Sequence, residues 1–228
     1  MELTADTRRL AAVARGDVIV GPRLLAGRKG AVGQLRLYDW IGADFMGITP
    51  QMVAEALDGM KGAGELCVYI NSPGGDAADG VTIYNCLCRF AGRRTTYVDG
   101  EAQSAAGLCF LAGDERVMMP GTQIMVHGPQ AQLRGTPEEI EQSLAGLRTL
   151  RTSVAEIYQG RTGQSAETVA GWMASKAVWF DGPKALEAGL CTRVAETAEM
   201  AGEARMTLSA ARTIPWRDME RIRRRSTR

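Results

Sequence analysis

The sequence predicts an α/β domain with largely parallel strands and covered faces, because strand, glycine turn and helix follow one another twice. GELCVYINSPGG runs into DAADGVTIYNCLCRF, and TTYVDG runs into SAAGLCFLAG. Two more short strands, ERVMM and QIMVH, come next, separated by Pro120-Gly121. Units of this length suit parallel strands joined by crossover helices.

Each element has its own signal. QLRLYDWIG, residues 34–42, alternates apolar and polar residues and predicts a strand near one sheet edge. Residues 48–60 read as a helix started by Thr49 and Pro50. Residues 66–70 form a short buried strand that enters a Pro-Gly-Gly turn. Val81, Ile83, Tyr84 and Leu87 then stand at helical spacing, and Gly92 ends that helix. Residues 95–98 give a strand, a glycine-containing turn follows, and a short apolar helix starts at Ser104. A long helix over 137–159 is opened by Thr136, with Glu138 and Glu139 in its first turn complementing the helix dipole. Helices over 166–174 and 183–188 complete the pattern, which fades after Val194. Three parts result: an N-terminal segment 1–32, a domain over 33–194, and a tail over 195–228.

A chain of 228 residues fits one domain with appendages and can bury a full core. With 45% hydrophobic and 23% charged residues its composition is that of a globular protein. MELTADTRRLAAVARGD lacks the apolar centre of a secretory signal and no apolar run is long enough to cross a bilayer, so a soluble, cytoplasmic protein is expected. The five cysteines are odd in number and lack metal-ligand spacing; they read as buried reduced thiols, and no metal or cofactor is expected. A net charge of +1 gives no whole-molecule attraction to nucleic acid or to a membrane. The exception is local: residues 212–228 hold seven arginines against Asp218 and Glu220, either a solvated end or a short basic helix for an acidic partner.

Ser104 stands alone among small residues in GEAQSAAGLC. It can be a helix cap or a nucleophile. A nucleophilic serine needs a base, oxyanion donors and a group that orients the base. His127 is the only histidine and ends the strand QIMVH, and imidazole suits proton transfer near neutral pH. Both residues fall at strand ends, where open α/β sheets place their sites. Gly74 and Gly75 in SPGGD are either a tight turn or a backbone surface that presents N–H groups, and the N–H of Ala105 at a helix head is a second donor. Small residues at 102, 105 and 106 allow close backbone packing there.

YINSPGGD, DGVTIYNCL, VDGEAQSAAGLCFLAGDERVMM, IMVHGP, and TGQS with KALEAGL resemble, in this order, the Clp protease proteolytic subunit (ClpP) family, with the flavour of its phage head maturation protease branch. The resemblance covers roughly residues 33–194. It implies a ClpP/crotonase-like αβ spiral with a helical handle region, serine endopeptidase activity on protein or peptide substrates, and a homo-oligomeric ring, often heptameric and stacked. By position it assigns Ser104 as nucleophile, His127 as base, and Gly75 and Ala105 as the oxyanion hole. Residues 128–135 and the long helix after them resemble the handle through which rings meet. The branch implies capsid proteins as substrates, within a prohead or the host cytoplasm; no GxxxxGK[ST] loop is present, so any ATPase would be a separate partner.

The chain departs from the family at one place. Where the family carries the triad acid, SKAVWFDGPKALEAGL has Ala177. The nearest carboxylate, Asp181, precedes Gly182-Pro183 and is either a relocated acid or the cap of the next helix. His127 is then oriented by another group, or works in a slow Ser-His dyad, or belongs to a ring subunit that no longer cuts. An acyl-CoA enzyme of the crotonase superfamily is a remoter reading, since those enzymes use carboxylates in place of Ser and His.

Overall fold

Among the residues that the computed structural model describes, 19–20, 24–174 and 176–196, nine strands form one sheet. They are β1 (Ile19–Val20), β2 (Leu24–Lys29), β3 (Val32–Leu37), β4 (Glu65–Ser72), β5 (Arg93–Gln103), β6 (Glu115–Met118), β7 (Gln123–Val126), β8 (Val178–Phe180) and β9 (Arg193–Val194). The order is β1-β2-β3-β4-β5-β6-β9, and pairing is parallel from β3 onward along that path. The arginine-rich tail and residues 1–18 lie outside the described residues.

The eleven-residue β5 forks the sheet. Its first half, Thr95 to Val98, pairs with β6, and its last three residues, Glu101 to Gln103, pair with β7. β8 then adds to β7 in the antiparallel sense. The sequence signal saw only residues 95–98 of this strand, because Gly100 and the charged Asp99 and Glu101 interrupt its apolar run.

β3 lies near one edge, as its alternation predicts, with two strands outside it. β2 covers it through a two-residue turn, Gly30-Ala31, with Gly30 at φ 62. β2, LLAGRK, carries no alternation that would announce a strand, so the sheet reaches into the segment assigned as N-terminal. β8 and β9 hold three and two residues, too few for a periodic signal.

Six helices accompany the sheet among the described residues: α1 (Pro50–Asp58), α2 (Ala77–Cys88), α3 (Ala105–Leu111), α4 (Pro137–Thr162), α5 (Ala166–Trp172) and α6 (Gly182–Glu187). Their starts follow capping chemistry. The Thr49 hydroxyl accepts from the Met52 N–H, and Thr136 and Glu139 form a reciprocal capping box. α1 begins two residues later than the apolar pattern suggests because Ile48 is held in a β-bridge to Ile41.

The main core lies between the sheet and the helices, with Leu35, Val68, Ile70, Val98, Ile83 and Phe110 all within it. The opposite sheet face carries a smaller cluster of Cys67, Tyr97, Val117 and Ala195. Every residue of α3 is buried, which explains why this helix is apolar all round. Tyr158 of α4 packs beneath it; a Cβ on Gly107 would stand 3.1 Å from the Tyr158 hydroxyl. Arg116 is buried nearby and donates to the carbonyls of Gly113, Arg161, Gly189 and Leu190, so one guanidinium serves the C-terminal ends of α3, α4 and α6. Over its first half α4 is almost wholly exposed; its buried residues are Val154 and Tyr158.

Candidate active site

Three parallel strands deliver their C-terminal ends to one place. β4 leads into the turn Pro73 to Gly75, β5 leads to Ser104, and β7 leads to His127. Ser104 is positioned by its own N–H, which donates to the Met125 carbonyl at 2.8 Å and ties the end of β5 to β7. Its hydroxyl meets His127 Nε2 at 2.8 Å. The two residues, 23 apart in sequence, are thus hydrogen-bonded.

Ser104 occupies the N-cap position of α3, yet its side chain makes no capping bond. Its backbone sits at φ 51, ψ −118, one of two non-glycine residues at positive φ among those described. Such a conformation costs about 1–3 kcal/mol and persists only where the surroundings impose it. A sharp strand-to-helix turn with this strain holds a hydroxyl clear of the backbone, which is where nucleophilic serines stand. The capping alternative therefore does not describe this residue.

The glycine turn is locked against the same point. A Cβ on Gly74, at φ 89, would lie 2.5 Å from the Gln103 carbonyl oxygen, 2.9 Å from Ser104 Cβ and 3.2 Å from the Ala105 nitrogen. Only glycine fits so close to another backbone. Gly75, at φ 145, is bridged to Ile41: the Ile41 N–H donates to Gly74 and the Asp76 N–H donates to Ile41. In such a parallel bridge the N–H of Gly75 itself points away from Ile41. The Ser72 hydroxyl bonds to the Asp39 carbonyl at 2.6 Å and accepts from the Gly74 N–H, fixing the turn from below. Asp76 caps α2 through the Asp79 N–H.

The loop that clasps this turn was not visible in the sequence as a site element. Residues 39–48 act through backbone atoms, so no residue type announces them. The exposed rings of Trp40 and Phe45 stack at 5.2 Å on this loop.

Asp181 is not beside His127. Its carboxylate accepts from the Lys184 N–H at 3.1 Å and pairs with Lys184 Nζ at 3.0 Å, as the cap of α6. Those same bonds hold its carboxyl below the usual carboxylate range. The β7–β8 register pairs Ile124 with Phe180 and Val126 with Val178. Continued by one residue each way, it sets Asp181 opposite Gln123 and Ala177 opposite His127. Asp181 is thus four residues along the ladder from His127, about 13 Å at about 3.3 Å per residue. The relocated-acid reading fails for a topological reason: Gly182-Pro183 starts a helix there and turns the carboxylate onto it. Ala177, with no acceptor in its side chain, is the residue that this continued register sets opposite His127.

Other reactive groups nearby are occupied or silenced. Cys109 is buried in α3, and burial pushes its thiol up to about 12, so it is a protonated packing residue. Gln103, next to Ser104, donates its side-chain amide to Glu101 at 2.5 Å. Among the described residues no cluster of His, Cys, Asp and Glu could hold a metal ion, and no helix is long and apolar enough to cross a membrane.

Comparison with known proteins identifies the family. Residues 43–198 match the Clp protease family. An ATP-dependent Clp protease proteolytic subunit of Chlorella vulgaris is 33% identical over 132 residues, covering 57% of this chain and 65% of the relative. The ATP-dependent Clp protease proteolytic subunit 1 of Streptomyces avermitilis is 31% identical over 135 residues, covering 58% and 62%. The chain thus spans less than two thirds of the length of these relatives. A solved structure of a ClpP1 mutant from Listeria monocytogenes superimposes with a TM-score of 0.64 at 21% identity, covering 73% of this chain and 92% of that one, a likeness of fold. The match over residues 43–198, on a chain of this mixed α/β architecture, places the chain in the Clp protease family.

Proposed function

We propose that this chain is a serine endopeptidase with Ser104 as nucleophile and His127 as general base. The observation that carries the reading is the 2.8 Å hydrogen bond from His127 Nε2 to a serine hydroxyl on a strained strand-to-helix turn. His127 Nε2 takes the Ser104 proton as Oγ attacks the peptide carbonyl carbon. The N–H groups of Gly75 and Ala105 receive the resulting oxyanion. The imidazolium then protonates the leaving amine, and water repeats the sequence on the acyl-enzyme. Small residues around Ser104 let a substrate backbone come close.

The site works inside a homo-oligomeric ring, with the exposed first half of α4 as the helix through which copies meet. Ile140, Leu144, Leu147 and Leu150 recur along it at helical spacing. The substrates are protein chains, and the motif blocks favour phage or prophage capsid proteins, whose confinement in a precursor shell lets a slow protease suffice. The relatives are named as ATP-dependent, and a separate ATPase would feed this chain in the same way if its substrates were folded.

Hydrolysis of a fluorogenic peptide by the full chain, compared with Ser104→Ala and His127→Ala, tests the reading. Turnover that is lost in both variants supports it, and turnover that survives in either removes it. Ala177 favours a second reading, a ring subunit that has lost its cutting activity. A wild-type chain that is inert while Ala177→Asp cleaves would establish that one.

A further inference from the structure

We propose that the space beside Ala177 is a binding site for a carboxylate, and that a carboxylate bound there orients His127 and switches the site on. The inference rests on the reading of Ser104 and His127 as nucleophile and base. Because Nε2 of the ring is turned to Ser104, whose strand flanks β7 on one side, Nδ1 is left for the other side, where β8 lies. The β7–β8 register, continued by one residue, sets Ala177 opposite on that side, which corresponds to about 4.5–5.5 Å between Cβ atoms for directly facing residues. Ala177 is exposed, so the space beyond its methyl is open to solvent. An aspartate at this position would extend one carboxylate past the alanine methyl into that open side.

The surrounding charge favours an anion. Lys176 adjoins Ala177 and is exposed. Arg151 reaches in from α4: its Nη1 lies 3.1 Å from where a Cβ on Gly128, the residue after His127, would be. Asp181 at the end of β8 and Glu101 on β5 are engaged elsewhere, by Lys184 and by Gln103. A carboxylate in this space accepts the Nδ1–H, selects the tautomer with a free Nε2 lone pair, and stabilises the imidazolium that forms when Ser104 gives up its proton. It takes no proton itself. The source is either a free small carboxylate or an acidic side chain of the substrate.

Labelling of the full chain by a fluorophosphonate, with sodium formate titrated against sodium chloride at constant ionic strength, tests this. The wild-type rate rises saturably with formate, by about ten- to hundredfold, part of the ~10⁴ that loss of a triad aspartate costs. Ala177→Asp labels fast without formate and ignores it. Equal acceleration of both proteins, or no effect on the wild type while Ala177→Asp labels, overturns the proposal. The single histidine supplies a second readout that needs no catalysis and no variant: formate shifts the His127 Nδ1 resonance saturably, and an unmoved resonance overturns the site. A saturable shift without labelling of either protein keeps the carboxylate site and removes the nucleophile reading. Peptide esters with Asp in place of Asn then separate the sources: faster cleavage of the Asp peptide without formate identifies the substrate, and equal rates identify the free ion.

Discussion

Gly75→Ala separates what the glycine turn does for stability from what it does for chemistry. The new Cβ would stand 2.0 Å from the Ile41 carbonyl oxygen, a backbone atom that moves only with its loop. The residue would also be held at φ 145, a region used almost only by glycine, at about 1–3 kcal/mol. Displacing Ile41 weakens its 2.7 Å bond to Gly74 and its 2.9 Å bond from Asp76, each worth about 1 kcal/mol. The sum is about 3–5 kcal/mol, or a fall in melting temperature of about 6–20 °C at about 2–4 °C per kcal/mol. Fluorophosphonate labelling measured well below that midpoint falls by about 10²–10³, the cost of one oxyanion donor. Gly62→Ala is the control: Gly62 has φ 81 and open space around it, so only the conformational cost of about 1–2 kcal/mol applies, with labelling unchanged. If Gly75→Ala melted like Gly62→Ala and labelled at the wild-type rate, the role given to the turn would be refuted.

Ser104→Gly abolishes activity yet raises stability by about 1 kcal/mol in a denaturant titration, since relief of the strained φ exceeds the entropy cost of glycine. Asp181→Asn leaves the labelling rate within about twofold of wild type, because the carboxylate serves α6 and not His127. Arg116→Met loses about 2–4 kcal/mol in the same titration with labelling preserved in the folded fraction, since two buried and two partly buried carbonyls lose a donor and only that of Gly113 keeps another, from Arg161. Burial pushes the Asp114 carboxyl up, but the bonds and charge of Arg94 outweigh it and hold the group below its ordinary value. Its stabilisation is therefore present above about pH 4 and lost as pH falls through the lowered value. The pair is partly exposed, so Asp114→Asn changes acid unfolding by under about 1 kcal/mol.

The helices and the inner strands were legible because their signals are local. Thr49-Pro50, Thr136 with Glu139, and the apolar spacing of Val81 to Leu87 each fix an element within a few residues. Ser104, His127 and the paired glycines were legible because each stands at the end of such an element. What the sequence hid is made by pairing. β2 becomes a strand only against β3, β8 only against β7, and the loop at Ile41 touches the glycine turn through backbone atoms. Asp181 was ambiguous in the same way: a cap and a triad acid look alike until the register of β8 sets it opposite Gln123.

The most direct test of the account is the mass of the full chain after reaction with a fluorophosphonate, followed by peptide mapping. The account predicts one adduct per chain, on Ser104, formed at a rate that drops when His127 is replaced by alanine. An adduct elsewhere, or labelling of Ser104 that is indifferent to His127, would contradict it.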